Sequence, residues 1–292
     1  MTKLKEALMA GRFVVTSEIG PPKGVNIDEY IDHAQAIKER VTAFNVTDLQ
    51  SAVMRFGSLA TCRLLIERGM EPVLQMTCRD RNRLALQSDL LSAYGLGIEN
   101  ILCLTGDHQK LGDHQGAKGV FDLDSVQLLV AAKKLQEGKD LAGNELEGAP
   151  EFFLGAVVTP EAEPLEPHII KMEKKIAAGA QFFQTQAVYD AQKFKEFIKQ
   201  TSRFNVAIMG GIVILKSVGM ARFMNANVAG VNVPEELIEE LKKDKEKTKS
   251  GQTGVEIAIR TINEIKDYCQ GIHLMPLGWE DKLPAILDGA GL

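Results

Sequence analysis

The stretch LGIENILCLTGDH (96–108) decides the fold. A helix-type segment stops at Gly97, one apolar residue follows, and Ile101-Leu102-Cys103-Leu104 begins a run too short for a helix. A glycine just past a helix end takes the left-handed position without a Cβ penalty. A short run that is apolar on successive residues suits a parallel strand covered on both faces. The same pattern recurs in RGMEPVLQMT (68–77), AGAQFFQTQ (178–186) and QGIHLMPL (270–277), giving Gly69, Gly179 and Gly271 the same helix-stop role. Further strands read at 13–19, 43–48, 152–158 and 205–214. Helical periodicity fills 28–40, 57–68, 82–95, 123–137, 164–178, 190–201, 216–226 and 253–268.

About eight strands alternating with about eight helices predict an α/β fold with a parallel sheet. Eight units in 292 residues suit a (β/α)8 TIM barrel. A doubly wound sheet competes, but no G-x-G-x-x-G follows the first strand. No shift in composition marks a boundary, so 1–292 reads as a single barrel domain. Two segments fall outside the alternation: 138–150 reads as a loop before the fifth strand, and 241–254 as a charged, solvated helix end and loop.

Hydrophobic residues make up 45% and charged residues 25%, as in an ordinary globular chain able to bury its own core. A formal charge of -5 gives no basic field for nucleic acid or anionic lipid. The four cysteines never form C-x-x-C, which argues against a zinc ribbon, a redox pair or an in-chain iron–sulfur cluster. A reduced, cytoplasmic protein is the expectation. In MTKLKEALMAGRF, Leu4 and Leu8 stand at helical spacing without the apolar core of a signal peptide. No segment approaches the roughly 18–20 apolar residues of a membrane span.

The strand ends carry the chemistry. Glu18, Thr47-Asp48, Gln75 and Thr77, Thr105-Gly106-Asp107, Thr159, and Gln184 with Gln186 each add polarity at the same end of an apolar strand. In a barrel those ends form the active-site face. Together they describe an uncharged-to-acidic pocket suited to a heterocycle with amide-like edges. No nucleophile elbow, H-E-x-x-H or Walker loop is present. Glu18, held before Gly20-Pro21-Pro22, is the candidate proton donor; an exposed turn glutamate is the competing reading.

GDHQKLGDHQ (106–115) offers two Asp-His pairs. A metal would need Asp107, His108, Asp113 and His114 folded onto one centre, and no supporting outer pattern accompanies them. No metal is expected. His108 lies close enough to the mouth to touch a ligand, whereas Asp113 and His114 belong to the loop beyond.

VTSEIGPPKG, NVTDLQSAVMRFGSLATC, LQMTCRDRN, LCLTGDH, VFDLDSVQLL, AAGAQFFQTQAVYD and GIHLMPLGWE, in this order, resemble the methylenetetrahydrofolate reductase family. The likeness runs from about residue 10 to residue 287 and is greatest to the short bacterial form, without a C-terminal regulatory domain. TSEIGPPKG, TGDH and VFDLDSVQLL look like the versions in anaerobes with one-carbon acetyl-CoA pathways. The resemblance implies a (β/α)8 barrel with a flavin at the C-terminal strand ends. It implies reduction of 5,10-methylenetetrahydrofolate to 5-methyltetrahydrofolate by hydride from the reduced flavin.

By motif match, Glu18 would be the acid that assists opening of the methylene bridge. Asp107 would lie beside the flavin pyrimidine edge and the folate, and Gln186 would hydrogen-bond the pterin. Thr47, Thr77 and Gly106 match flavin-contacting strand ends, and Lys175 matches a basic residue on the flavin's phosphate side. Gln75 replaces a histidine of familiar members, and Thr105 stands where arginine is common; both join His108 among the expected cofactor contacts. The stretch from Thr159 to His168 is shorter than in FAD-binding members, which leaves FMN open beside FAD. Val218 and Met220 occupy the 210–225 loop, where no nicotinamide-stacking aromatic is found. Electrons could come from NAD(P)H or from a partner iron–sulfur or zinc-binding subunit, with an oligomer or hetero-complex expected. Two alternatives remain: a pterin-binding methyltransferase barrel and a scaffold subunit without flavin.

Overall fold

The computed structural model describes residues 1–228 and 230–292. Eight strands form the barrel: β1 (Val14–Ile19), β2 (Ala43–Val46), β3 (Pro72–Thr77), β4 (Asn100–Leu104), β5 (Phe153–Val158), β6 (Phe182–Ala187), β7 (Ala207–Val213) and β8 (Gly271–Met275). Each pairs in parallel with the next, and β8 closes onto β1. The predicted (β/α)8 TIM barrel is the observed fold.

The helices are α1 (Lys3–Met9), α2 (Asp28–Ile37), α3 (Ser58–Glu67), α4 (Arg83–Gly95), α5 (Ser125–Gln136), α6 (Glu166–Ala177), α7 (Ala191–Thr201), α8 (Val218–Asn227), α9 (Glu235–Lys243), α10 (Lys245–Lys249), α11 (Gln252–Ile265) and α12 (Leu283–Ala290). No helix is long and apolar enough to cross a membrane among the described residues. Several starts are set by side-chain caps that satisfy first-turn N–H groups: Asn82 for α4, Asp124 for α5, Asp190 for α7 and Ser217 for α8. The segment 241–254, expected as a helix end and loop, carries the end of α9, all of α10 and the start of α11. Thr248 anchors that charged stretch by donating to the Leu241 carbonyl at 2.8 Å.

Gly69, Gly97 and Gly179 have φ of +73°, +84° and +115°, as helix stops require. Gly271 does not share that role. It opens β8, while α11 has already ended at Ile265. Here the need is space: a Cβ would stand 2.4 Å from the Val14 carbonyl oxygen.

Inside the barrel, the lowest layer is apolar: Val14, Ala43, Val73, Leu102, Phe153, Phe182 and Met209, with Leu4 of α1 packed beneath. Glu71 holds α1 there by accepting from the Lys3 and Leu4 amides at 2.6 and 2.9 Å. Phe182 stacks on Phe153 with centroids 4.8 Å apart and fills the space where a Gly155 Cβ would project. Outward-facing residues such as Val15, Phe44, Leu74, Ile101 and Phe183 join the helices in one large apolar shell. Period-two alternation therefore sends one set of each strand's residues to the shell and the other into the lumen.

Candidate active site

The lumen turns polar one layer above Val14. Asn45 and Gln184 exchange amide hydrogen bonds of 2.8 and 3.0 Å. Gln184 also donates to Thr16 Oγ1 at 3.1 Å, and Thr16 Oγ1 lies 2.9 Å from His273 Nδ1. All four side chains are buried. Buried polar groups of this kind are tolerable only when their partners are present, and here they are.

Above this floor opens a cavity of about 390 Å³, within the usual range for small-molecule sites. Glu18, Asp48, Gln75, Thr77, Thr105, Gly106, Asp107, Thr159, Gln184 and Gln186 all line it, so the polar strand ends do converge on one mouth. Glu18 is 9% exposed, which makes it a buried carboxylate instead of a turn glutamate. Its Oε1 accepts from Gln75 Nε2 at 2.8 Å and lies 3.6 Å from His273 Nε2.

Asp48 organises the β2–β3 side. Its Oδ2 accepts from the Thr77 amide at 2.8 Å, from Thr77 Oγ1 at 2.9 Å and from the Arg81 guanidinium. Arg81 also pairs with Asp89 of α4 at 3.0 Å. The Thr77 hydroxyl proton is thus already committed within the protein. Thr105 is held differently, as an acceptor: its Oγ1 takes a bond from the Ser125 amide at the start of α5 at 3.1 Å.

Arg79 is 2% exposed, and its Nη2 donates to the Leu49 carbonyl and to Asp80 at 3.0 and 2.8 Å. Its Nη1 reaches the Asp107 carbonyl at 3.4 Å. One guanidinium thus joins the loops after β2, β3 and β4. Gly106, with φ +92°, makes the turn that carries Asp107 to the rim, where its carboxylate is exposed. No hydrogen bond reaches that carboxylate among the described residues.

Across the mouth, His168, Lys171 and Lys175 lie on the inward face of α6. Lys175 is buried and donates to the Val157 carbonyl at 2.6 Å. Burial, with Lys171 close by, pushes its ammonium down to about 8. No carboxylate among the described residues lies within ion-pair distance of it. His168 is lowered by the same causes, burial first and then the two lysines. A buried cation with basic neighbours and no anionic partner is the chemistry of an anion subsite.

Two expected contacts are not brought to the cavity. Thr47 is buried beside it, its hydroxyl 3.5 Å from the Ile19 carbonyl. His108 is not among the lining residues: its Nδ1 accepts from the Lys110 amide at 3.2 Å, capping the short turn Gln109–Leu111. The second GDHQ copy is a fastening. Asp113 bonds Lys23, the Met54 amide at 3.3 Å and His114 Nδ1 at 2.8 Å, which pulls the loop after β4 onto those after β1 and β2. Among the described residues no three His, Cys, Asp or Glu side chains are placed to hold a metal.

His273, Arg79, Arg81, His168 and Lys171 were not anticipated. His273 carried a signal, since a single imidazole alternating with apolar neighbours in GIHLM marks the lumen face. The arginines had none, because the Leu49 and Asp107 carbonyls that Arg79 meets, and the Asp48 carboxylate that Arg81 meets, lie on other loops.

A family model described as methylenetetrahydrofolate reductase matches residues 3–291. Methylenetetrahydrofolate reductase 2 of Schizosaccharomyces pombe is 30% identical over 236 residues, 75% of this chain and 35% of that protein. The 5,10-methylenetetrahydrofolate reductase of Salmonella typhimurium is 25% identical over 237 residues, 78% of this chain and 73% of that one. The chain spans 35%, 42% and 50% of the lengths of three of the curated relatives it matches. Among solved structures, an uncharacterized Clostridium thermocellum protein that binds two copies of 5-methyl-5,6,7,8-tetrahydrofolic acid superposes with a TM-score of 0.66 at 17% identity. That match covers 98% of this chain and 97% of that one. From the match over nearly its whole length, the chain belongs to the methylenetetrahydrofolate reductase family.

Proposed function

We propose that this chain reduces 5,10-methylenetetrahydrofolate to 5-methyltetrahydrofolate with a flavin, FMN or FAD, held in the barrel mouth. The observation that carries the reading is the meeting of Glu18, Asp107 and Gln186 at one cavity in a chain of this family. The residues suit a flavin. Lys175, Lys171 and His168 supply a cationic face for its phosphate, and the Gln75 and Gln186 amides line the space open to a heterocycle. A bound flavin supplies the hydride.

The chain's own residues do the rest. Glu18 delivers a proton to the folate amine as the methylene bridge opens, which is general acid catalysis from a water-poor site. The Asp107 carboxylate favours the cationic iminium so formed. The Gln186 amide pairs with the amide-like edge of the pterin. Electrons reach the site from NAD(P)H or from an electron-transfer partner subunit.

The test is direct. Purified protein is scored for visible flavin absorbance, the flavin is identified by mass, and reduction is followed anaerobically with NADH, NADPH and a low-potential donor. Methylenetetrahydrofolate should reoxidise the reduced flavin with formation of the methyl product. A colourless protein that passes methyl groups from methyltetrahydrofolate to a corrinoid would replace this reading with the methyltransferase one.

A further inference from the structure

We propose that Glu18 and His273 share one proton, with His273 holding it on the lumen floor until Glu18 delivers it to the substrate. This rests on the folate-reductase reading for its purpose, but not for its physical content. His273 is 3% exposed on β8, with Nε2 3.6 Å from Glu18 Oε1, ion-pair range and a small adjustment from a hydrogen bond. Its other nitrogen meets Thr16 Oγ1 at 2.9 Å. The Thr16 hydroxyl oxygen accepts from Nδ1–H, which keeps its proton whether or not Nε2 carries one. Gln184, tied reciprocally to Asn45, donates to the same Thr16 oxygen, whose own proton faces Met209 Sδ.

The floor therefore accepts two arrangements: Glu18 carboxylate with imidazolium, or Glu18 carboxylic acid with neutral imidazole. Gln75 donates to Glu18 Oε1 and so favours the carboxylate, against the needs of an acid. A neighbouring imidazole keeps the proton within reach. In the transfer the Nε2–H bond of the imidazolium breaks and an O–H bond forms on Glu18. That O–H proton then passes to the folate amine, and one solvent proton entering through the mouth refills the pair. No electrons move in these steps.

Within the floor, Glu18 and His273 are the titratable groups among the described residues. At the mouth above, Asp48 is paired with Arg81, and Arg79 with Asp80. Asp107 stands at the rim, and His168, Lys171 and Lys175 on α6. Behind β1, His33 and Glu280 share a small cleft with Glu18.

Imidazole ¹⁵N resonances of the intact protein, labelled on histidine, give the test. His273 is assigned by its loss in His273→Gln. Should that variant not fold, it is the histidine insensitive to a soluble paramagnetic agent, since His33, His108, His114 and His168 are exposed or half-exposed. If the two groups share a proton, the pH response of the His273 ring resonances should change in Glu18→Gln. His273→Gln should lower the ratio of folate-reduction to flavin-reduction rates at least tenfold, on the order of one general acid–base contribution. It should also move the pH profile of folate reduction. Identical His273 titration in wild type and Glu18→Gln overturns the proposal, as does an unmoved pH profile in His273→Gln. Coupled titration in a protein that does not reduce methylenetetrahydrofolate leaves the shared proton standing and overturns the proposed function instead.

Discussion

Gly106 packs closely against Arg79: a Cβ there would stand 3.1 Å from the Arg79 Cβ, and equally close to that of Thr77. With φ at +92°, the position is doubly restricted. Gly106→Ala should destabilise the protein by about 1–3 kcal/mol, the scale of a forced left-handed residue. It should also displace Asp107 and weaken flavin retention. Chemical denaturation and flavin content after gel filtration measure the two effects; wild-type values in both would refute the constraint.

Glu18→Gln keeps the shape and the Gln75 contact but cannot supply a proton. Folate reduction should slow by about 10²–10⁴-fold, while flavin content stays at the wild-type level. Stopped-flow reoxidation of the reduced flavin by methylenetetrahydrofolate is the measurement.

Asp107→Asn removes a negative charge from the rim and should raise the flavin reduction potential. At about 4 Å the interaction is worth ~1 kcal/mol in a water-like dielectric and ~4 kcal/mol at an effective dielectric near 20. For a two-electron couple these correspond to roughly 20 to 90 mV. Because the carboxylate is exposed, the lower half of that range is expected until substrate covers it. Potentiometric titration that finds no positive shift would remove Asp107 from the electrostatics of the site.

Lys175 gives a pH signature. Its ammonium, pushed down to about 8 by burial and Lys171, is regained as a full charge when an anion binds. Affinity for a phosphate-bearing flavin should therefore be level below pH 8 and fall as pH rises above it. Lys175→Met should weaken binding by about 10- to 100-fold, the scale of a charged hydrogen bond, and abolish the slope. Fluorescence titration at pH 7 and pH 9.5 distinguishes these outcomes.

Glu161, buried on the loop after β5, accepts from the Tyr189 and Asp190 amides at 2.7 and 2.9 Å through Oε1. Its Oε2 is buried without a partner among the described residues, and burial pushes the carboxyl up to about 7 from 4.5. A raised folded value means the stabilising contribution is complete below about pH 4.5 and is lost as pH rises through 7. Glu161→Gln should thus gain on wild type by up to about 3 kcal/mol between pH 5 and pH 8. A stability difference that does not change across that window would rule this out.

The barrel was legible because its grammar is local. Gly97 and the apolar run behind it sit within ten residues, and the same sequence of signals repeats around the ring. Gly271 misled because a glycine that relieves a close approach looks, in sequence, like one that stops a helix. Polar strand ends pointed to the mouth, but they could not reveal that the Thr77 and Thr105 hydroxyls are already bonded by Asp48 and Ser125. Those partners are set by loop packing, which leaves no periodic trace. His108 lies outside the cavity lining for a related reason: one further residue past Asp107, the chain turns and the imidazole caps its own loop.

The exchange of hydrogen bonds between Asn45 and Gln184 has a mechanical consequence. β2 and β6 are four strands apart in a ring of eight, so the pair crosses the full diameter of the barrel. It acts as a tie-rod one layer below the mouth. The separation between the strand ends bearing Asp48 and Gln186, on which a bound heterocycle depends, is thereby gauged by two amide side chains. An apolar pair of the same volume could fill the lumen, but it would leave the calibre of the opening to the loops.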